Sequence, residues 1–318
     1  MSMAKYKIAY LGTPEFAVPI LEKLIQNGYK PIAVFCAPDK PVGRKQILTP
    51  PPVKVIAQKY NIPVYQPADV QNLKSSILNL KSDLTICAAY GLILPKEILD
   101  APRYGCLNIH PSVLPKYRGP SPIQYAILNG DEKTGVTIIK MNEKIDAGPI
   151  IKNQRLNIKN QRYTTPELSE KLSEMGANLL LEILPDWITG KIKPTPQDES
   201  QATYTKIIKK EDGLLNWQKS AQEIERQIRA FTPWPGAYTR IMNNESRIMN
   251  LKITEAAVSK DDKNKKPGEI FLTDDEKLAI RAGDGCLLLE KLQIEGGKPM
   301  TAQDFLRGHR EIIGQILS

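Results

Sequence analysis

The sequence is poor in the residues that build reactive centres by themselves. It has two histidines, His110 and His309, and four scattered cysteines, Cys36, Cys87, Cys106 and Cys286, with no C-x-x-C pair. Neither a metal site nor a disulfide framework is therefore expected, and buried thiols in a reducing cytoplasm fit the spacing better. No apolar run reaches the ~18 residues of a membrane helix. Met1-Ser2-Met3-Ala4 leads straight into Lys5-Tyr6-Lys7-Ile8-Ala9-Tyr10, with no apolar signal core and no Arg/Ser-rich presequence. A cytoplasmic protein without a membrane partner is the expectation. The Gly-x-Gly-x-x-Gly fingerprint is missing after the first apolar run, so a nicotinamide cofactor is not supported.

What is present is ordinary globular material. The 318 residues suggest two domains, and 41% hydrophobic with 25% charged residues excludes global disorder and fibrous classes. The formal charge is +9, which favours polyanionic partners by long-range attraction. Residues 1–60 carry nine basic side chains against three acidic ones, whereas from Thr205 onward 19 basic face 17 acidic. Any RNA-binding face in the second half must therefore come from one-sided placement of charge.

Lys7–Leu11 reads as a buried strand stopped by Gly12-Thr13-Pro14. Phe16, Ala17, Ile20, Leu21, Leu24 and Ile25 follow at helical spacing, Gly28 sits at a helix C-terminus, and Pro31–Cys36 is a second buried strand. Further strands are expected at Leu84–Ala89, Gly105–His110 and Val136–Lys140. This alternation argues for an α/β fold, an open, mostly parallel Rossmann-like sheet whose ligands bind beyond the carboxyl ends of the strands. Ala37–Val53 holds five prolines, fits no element, and is long enough to be a functional excursion. Thr165-Pro166-Glu167 starts a helix that runs to about Ile188. The polar stretch around Lys191–Ala202 reads as a linker, which divides the chain into 1–189, a linker at 190–206, and 207–318.

The second half changes texture. Ser220-Ala-Gln-Glu223 and Thr301-Ala-Gln-Asp304 are capping boxes. Short strands are expected at Gly236–Ile241, Ile248–Thr254, Glu269–Leu272, Lys277–Arg281 and Cys286–Gln293, and Asp261–Lys266 reads as a solvated loop. Five strands and a helix suggest a small C-terminal β-barrel of the oligonucleotide-binding (OB) type.

Asn108 and His110, two apart at a strand's carboxyl end, face the same side and set an amide beside an imidazole. The alternative is a histidine satisfied by backbone groups in a turn. Asp146, in Lys144-Ile-Asp-Ala-Gly-Pro149, is placed as a turn aspartate. Together the three could polarise a carbonyl, move protons and orient an imidazole. Spacing alone does not bring Asp146 to His110.

Leu11-Gly-Thr-Pro-Glu-Phe-Ala17, Asn108-Ile-His-Pro-Ser-Val-Leu-Pro-Lys-Tyr-Arg-Gly119 and Asp146-Ala-Gly148 resemble the signatures of the folate-dependent formyltransferase family. With Phe231-Thr-Pro-Trp-Pro-Gly-Ala237 and the long loop, the whole chain resembles the members that act on initiator methionyl-tRNA. Val113, Tyr125 and Ala147 depart from the residues usual there, beside the reacting groups rather than among them.

The resemblance implies transfer of a formyl group from 10-formyltetrahydrofolate to the α-amino group of methionine on initiator tRNA, in translation initiation. It implies Asn108, His110 and Asp146 as catalytic residues, and an adjacent carboxylate favours the charged imidazole. It implies folate contacts at Ala89, Tyr90 and Gly91 and at Ser112, Val113, Leu114 and Pro115. It implies tRNA contacts from Arg44 and Lys45, an arginine being able to pair bidentately with phosphate or a base edge. A monomer using no metal is expected. Two other readings stand beside it: a sugar-nucleotide N-formyltransferase with the same catalytic half, and a non-catalytic RNA-binding protein.

Overall fold

The computed structural model describes residues 6–43, 45–242, 248–260 and 264–317. The chain divides into two compact units. One runs to Pro122 and adds Lys133–Ile158 and Ser169–Lys206; the other comprises Ile123–Glu132, Lys159–Leu168 and the chain from Ile207 onward.

The first unit is built on strands β1 (Ile8–Gly12), β2 (Ala33–Phe35), β3 (Lys40–Val42), β4 (Ile47–Thr49), β5 (Val64–Tyr65), β6 (Leu84–Ala88), β7 (Cys106–His110), β8 (Lys133–Lys140) and β9 (Ile150–Asn157). Helices α1 (Val18–Gln26), α2 (Pro52–Lys59), α3 (Val70–Asn79) and α4 (Lys96–Asp100) connect them. Of the next two helices, α5 (Pro122–Leu128) belongs to the second unit beyond Pro122, and α6 (Thr165–Ile188) to the first from Ser169 on. Seven strands form one sheet in the order β5-β2-β1-β6-β7-β8-β9. It is parallel from β5 to β7 and antiparallel at β7–β8 and β8–β9. The expected mostly parallel Rossmann-like sheet is present, with β9 as an edge strand that its charged sequence did not announce.

All five residues of β1 and of β6 are buried, so both sides of the sheet centre are covered. Each large aliphatic side chain sequestered there contributes about 1.5–3 kcal/mol. Gly12 ends β1 because nothing larger fits: a Cβ would lie 2.8 Å from Ala17 Cβ and 2.9 Å from the Tyr10 ring. Strand order reverses between β1 and β6, the point at which open α/β sheets receive ligands. Thr13 spans it, its hydroxyl donating to Tyr90 O at 3.4 Å and accepting from Ala37 N–H at 3.2 Å.

The proline-rich segment corrects one expectation. Ala37–Val53 does contain elements: β3 and β4 pair as an isolated antiparallel ribbon, and α2 starts at Pro52. A two-stranded ribbon consists only of edges, where the missing N–H of Pro41 costs no ladder bond, and a first-turn proline loses no helix bond.

The second unit has helix α7 (Ala221–Ala230), strands β10 (Ala237–Met242), β11 (Ile248–Ser259), β12 (Ile270–Leu272), β13 (Leu278–Arg281), β14 (Cys286–Ile294) and β15 (Met300–Thr301), and helix α8 (Ala302–Gly308). They form an antiparallel sheet in the order β10-β11-β14-β13-β12, with β15 on β14. Among the described residues no pairing joins β10 to β12, so an antiparallel β unit is what the pairings give and the expected barrel closure is not among them. Both capping residues act as read: Ser220 accepts from Glu223 N–H, and Thr301 from Asp304 N–H at 3.1 Å. Ile224, Ile228, Leu251, Ile280 and Phe305 are core members, beside Trp217, whose indole N–H donates to Thr239 Oγ1 at 3.1 Å. Parts of the 261–266 loop lie outside the described residues.

Candidate active site

Strand β7 sits between β6, its parallel neighbour, and β8, its antiparallel one. Its last turn of pleat carries Asn108, half-buried, and His110, 4% exposed. The His110 Nε2 atom lies 2.8 Å from Tyr117 O. A carbonyl only accepts, so Nε2 bears a proton. His110 Nδ1 faces Asp146 Oδ1 at 3.5 Å. Asn108 Nδ2 donates to that same oxygen at 3.2 Å, and the other carboxylate oxygen accepts from Gly119 N–H at 2.8 Å. The amide, imidazole and carboxylate named from the sequence therefore meet at one carboxylate.

Asp146 arrives there by a constrained turn between β8 and β9. Its backbone is left-handed, at φ +50°, a conformation that Asp tolerates better than most residues. Gly148 closes the turn, because a Cβ would stand 1.9 Å from Lys140 O. Gln197 Nε2 donates to both Asp146 O and Gly148 O at 2.7 Å. Gln197 Oε1 in turn accepts from Arg118 Nε at 3.1 Å and Nη2 at 2.9 Å. The Arg118 side chain is 1% exposed and forks onto Glu199 at 2.9 and 2.8 Å. That pair holds the Glu199 carboxyl below its usual range.

The loop after β7 is fastened from within. Thr137 Oγ1 on β8 donates to Ser112 O at 2.7 Å and accepts from Leu114 N–H at 3.0 Å, while Ser112 Oγ donates to Lys116 O at 2.6 Å. Ser112 and Leu114 are buried, and Val113 and Pro115 are half-buried. At the neighbouring end of β6, Ala89 and Gly91 are exposed and left-handed, at φ +48° and +91°. A Cβ at Gly91 would meet nothing within 4 Å. Tyr90 is buried, and its Oη has no hydrogen-bond partner among the described residues. The two sequence-expected folate stretches thus sit at adjacent strand ends, joined by no hydrogen bond among the described residues. Cys87, opposite Asn108 in register, is pushed up to about 12 by burial and stays a thiol. A cavity of about 300 Å³ lies away from this chemistry, lined by Lys81, Asp83, Thr85 and Arg103. Its size does not make it the site.

Lys45 is exposed in the turn of the β3–β4 ribbon, and Arg44 lies outside the described residues. The ribbon's root is fixed. Lys54 Nζ donates to both Asp39 carboxylate oxygens at 2.8 Å and to Gln66 Oε1 at 2.8 Å, and Gln66 Nε2 donates to Ala37 O and Asp39 Oδ1. Sequence reading missed Gln197, Arg118, Thr137 and the Lys54 cluster as supporting residues. Only Arg118, inside the Asn108–Gly119 string, carried a signal.

The family models for the formyl transferase domain and for its C-terminal domain match residues 6–184 and 207–310. A methionyl-tRNA formyltransferase of Bacillus velezensis is 43% identical over 98% of this chain and 97% of its own length. The chain belongs to the methionyl-tRNA formyltransferase family. Members transfer formyl groups, and the reading as a non-catalytic RNA-binding protein falls with that membership. Two solved structures share the fold at lower identity. An Aquifex aeolicus HypX in complex with tetrahydrofolic acid is 18% identical, with TM-score 0.64 over 95% of this chain and 47% of its own. A Helicobacter canadensis N-formyltransferase in complex with folinic acid and dTDP-3-aminofucose is 22% identical, with TM-score 0.66 over 89% and 99%.

Proposed function

We propose that the chain transfers a formyl group from 10-formyltetrahydrofolate to the α-amino group of methionine on initiator methionyl-tRNA, with Asn108, His110 and Asp146 as its catalytic residues. The observation that carries this reading is the shared Asp146 Oδ1, 3.2 Å from the Asn108 amide and 3.5 Å from the His110 ring. When the amine attacks, the formyl carbon becomes tetrahedral and its oxygen gains charge. One N–H of Asn108 serves Asp146, which leaves the other to donate to that oxygen. In its charged form His110, held between the Tyr117 carbonyl and the carboxylate, would set positive charge beside it. Asp146 accepts the proton that the amine loses, directly or through water, and the same proton is returned to the donor nitrogen as the C–N bond to the donor breaks.

The residues at the ends of β6 and β7 suit a folate donor. Gly91 leaves open space, Ile93 is 65% exposed, and the unpartnered Tyr90 Oη is a buried polar group. Ala89, Tyr90 and Gly91 would border the pterin, with Ser112–Pro115 on the other side.

In this reading residues 1–189 do the chemistry, 207–318 are an OB-like module gripping the tRNA backbone, and 190–206 join them. Lys45 in the turn of the ribbon, and Arg44 next to it in sequence, would contact the acceptor end. The protein acts as a cytoplasmic monomer. A formylation assay offering methionyl-tRNA and an amino-sugar nucleotide side by side with one donor tests the substrate. Formylation of the tRNA is expected, and preference for the sugar would overturn it.

A further inference from the structure

The segment after α6 does more than connect. Arg118 and Tyr204 are bridged in parallel, with Arg118 N–H donating to Thr203 O at 2.8 Å and Thr205 N–H to Arg118 O at 2.8 Å. Tyr117 N–H donates to Thr203 Oγ1 at 2.8 Å. Thr195 pairs with Ile150, in the strand that leaves the Asp146 turn. One stretch of chain therefore touches both the loop carrying Gly119, which donates to Asp146 Oδ2, and the turn carrying Asp146 itself. Gln197 is where these contacts converge. Its amide nitrogen holds the two carbonyls of the Asp146–Gly148 turn at 2.7 Å, and its amide oxygen is gripped by the buried Arg118 fork.

We propose that Gln197, anchored on Arg118, is a positioning residue for formyl transfer, holding the left-handed backbone of Asp146 so that one carboxylate oxygen reaches both Asn108 and His110. The inference rests on the assignment of Asp146 under Proposed function. A side-chain amide is the group needed here, because one end must donate to carbonyls while the other accepts from a guanidinium. A glutamate keeps the second contact and loses the first, setting a carboxylate oxygen against two carbonyl oxygens.

The test compares Gln197→Glu, Asp146→Asn and the double variant in formylation of methionyl-tRNA, with thermal melting as the folding control. Gln197→Glu is expected to lower kcat by about 10–100-fold, the scale set by small misplacements of a reacting group. KM for donor and tRNA should change less than threefold. Added to Asp146→Asn, it should cause little further loss, because both act through one carboxylate. Should Gln197→Glu fail to fold, Gln197→Ala carries the same comparison. An inactive Asp146→Asn beside a Gln197→Glu with wild-type kcat would overturn the role of Gln197 alone, as would fully multiplicative losses. A fully active Asp146→Asn would overturn the assignment of Asp146 and this inference together.

Discussion

The carboxyl end of β7 and the β3–β4 ribbon, to which the proposed function gives different roles, are built in opposite ways. Around His110 the described polar groups are tied together through Tyr117 O, Asp146, Gly119 N–H, Thr137 and Gln197. All six residues of β3 and β4 are exposed, including Val42, Ile47 and Leu48, and the ribbon's root is tied down by Lys54, Asp39 and Gln66. Chemistry on one carbon requires preorganised groups. A polymer with a charged backbone can be met by a projecting ribbon whose contacts form on encounter. The difference teaches where substitutions should act on turnover and where on tRNA affinity.

The largest effect that would break this contrast belongs to the buried end. His110→Ala should lower kcat by roughly 10²–10³-fold, the scale of losing one electrostatic group beside the developing charge, while tRNA affinity stays near wild type. Rapid-quench formylation and filter binding measure the two separately. At the ribbon the pattern should invert. Arg44→Leu should raise the KM for methionyl-tRNA by roughly tenfold, the loss of one good bidentate contact, and leave the KM for the donor unchanged. Equal losses for both substrates would erase the contrast.

Smaller effects sharpen it. Lys54→Met strands the Asp39 carboxylate and should speed proteolytic nicking of residues 40–49, with a drop of a few degrees in Tm. Lys54 and Gln66 hold Asp39 below its usual value of 3.8. Its folded pKa is depressed, so the root's stabilisation is full above about pH 4 and fades only as pH falls through the depressed value. Nicking of the wild-type ribbon should therefore be flat from pH 8 to 5 and rise below about pH 4. Last, burial pushes Cys36 up to about 11 and Cys87 and Cys106 up to about 12. These thiols should resist iodoacetamide at pH 8 in the native protein and react on unfolding, as read by mass spectrometry.

Much of the first unit was legible because its signals are local. Apolar runs marked β1, β6 and β7, Gly12 marked the end of β1, and the i, i+2 spacing put Asn108 and His110 on one face. Asp146 was visible as a turn residue, but its approach to His110 depends on β8 lying beside β7, which pairing across 27 residues decides and no short pattern encodes. The same holds for Gln197. The stretch from Lys191 to Ala202 is polar and holds two prolines, so composition reads it as a connector. Its function lies in where it packs. The ribbon was hidden for a different reason, since prolines that forbid a central strand are harmless at an edge. In the second unit alternation revealed the strands, while closure of a sheet is a property of its rims and leaves no periodic trace.

Under the proposed function one carboxylate joins Asn108 and His110 into a single reacting centre, and a double-variant cycle tests that most directly. Single-turnover formylation of methionyl-tRNA would be measured for Asn108→Ala, His110→Ala and the pair. Residues acting as a unit predict that the double variant is scarcely slower than the worse single one. Losses that multiply in full, or a single variant that retains wild-type turnover, would contradict it.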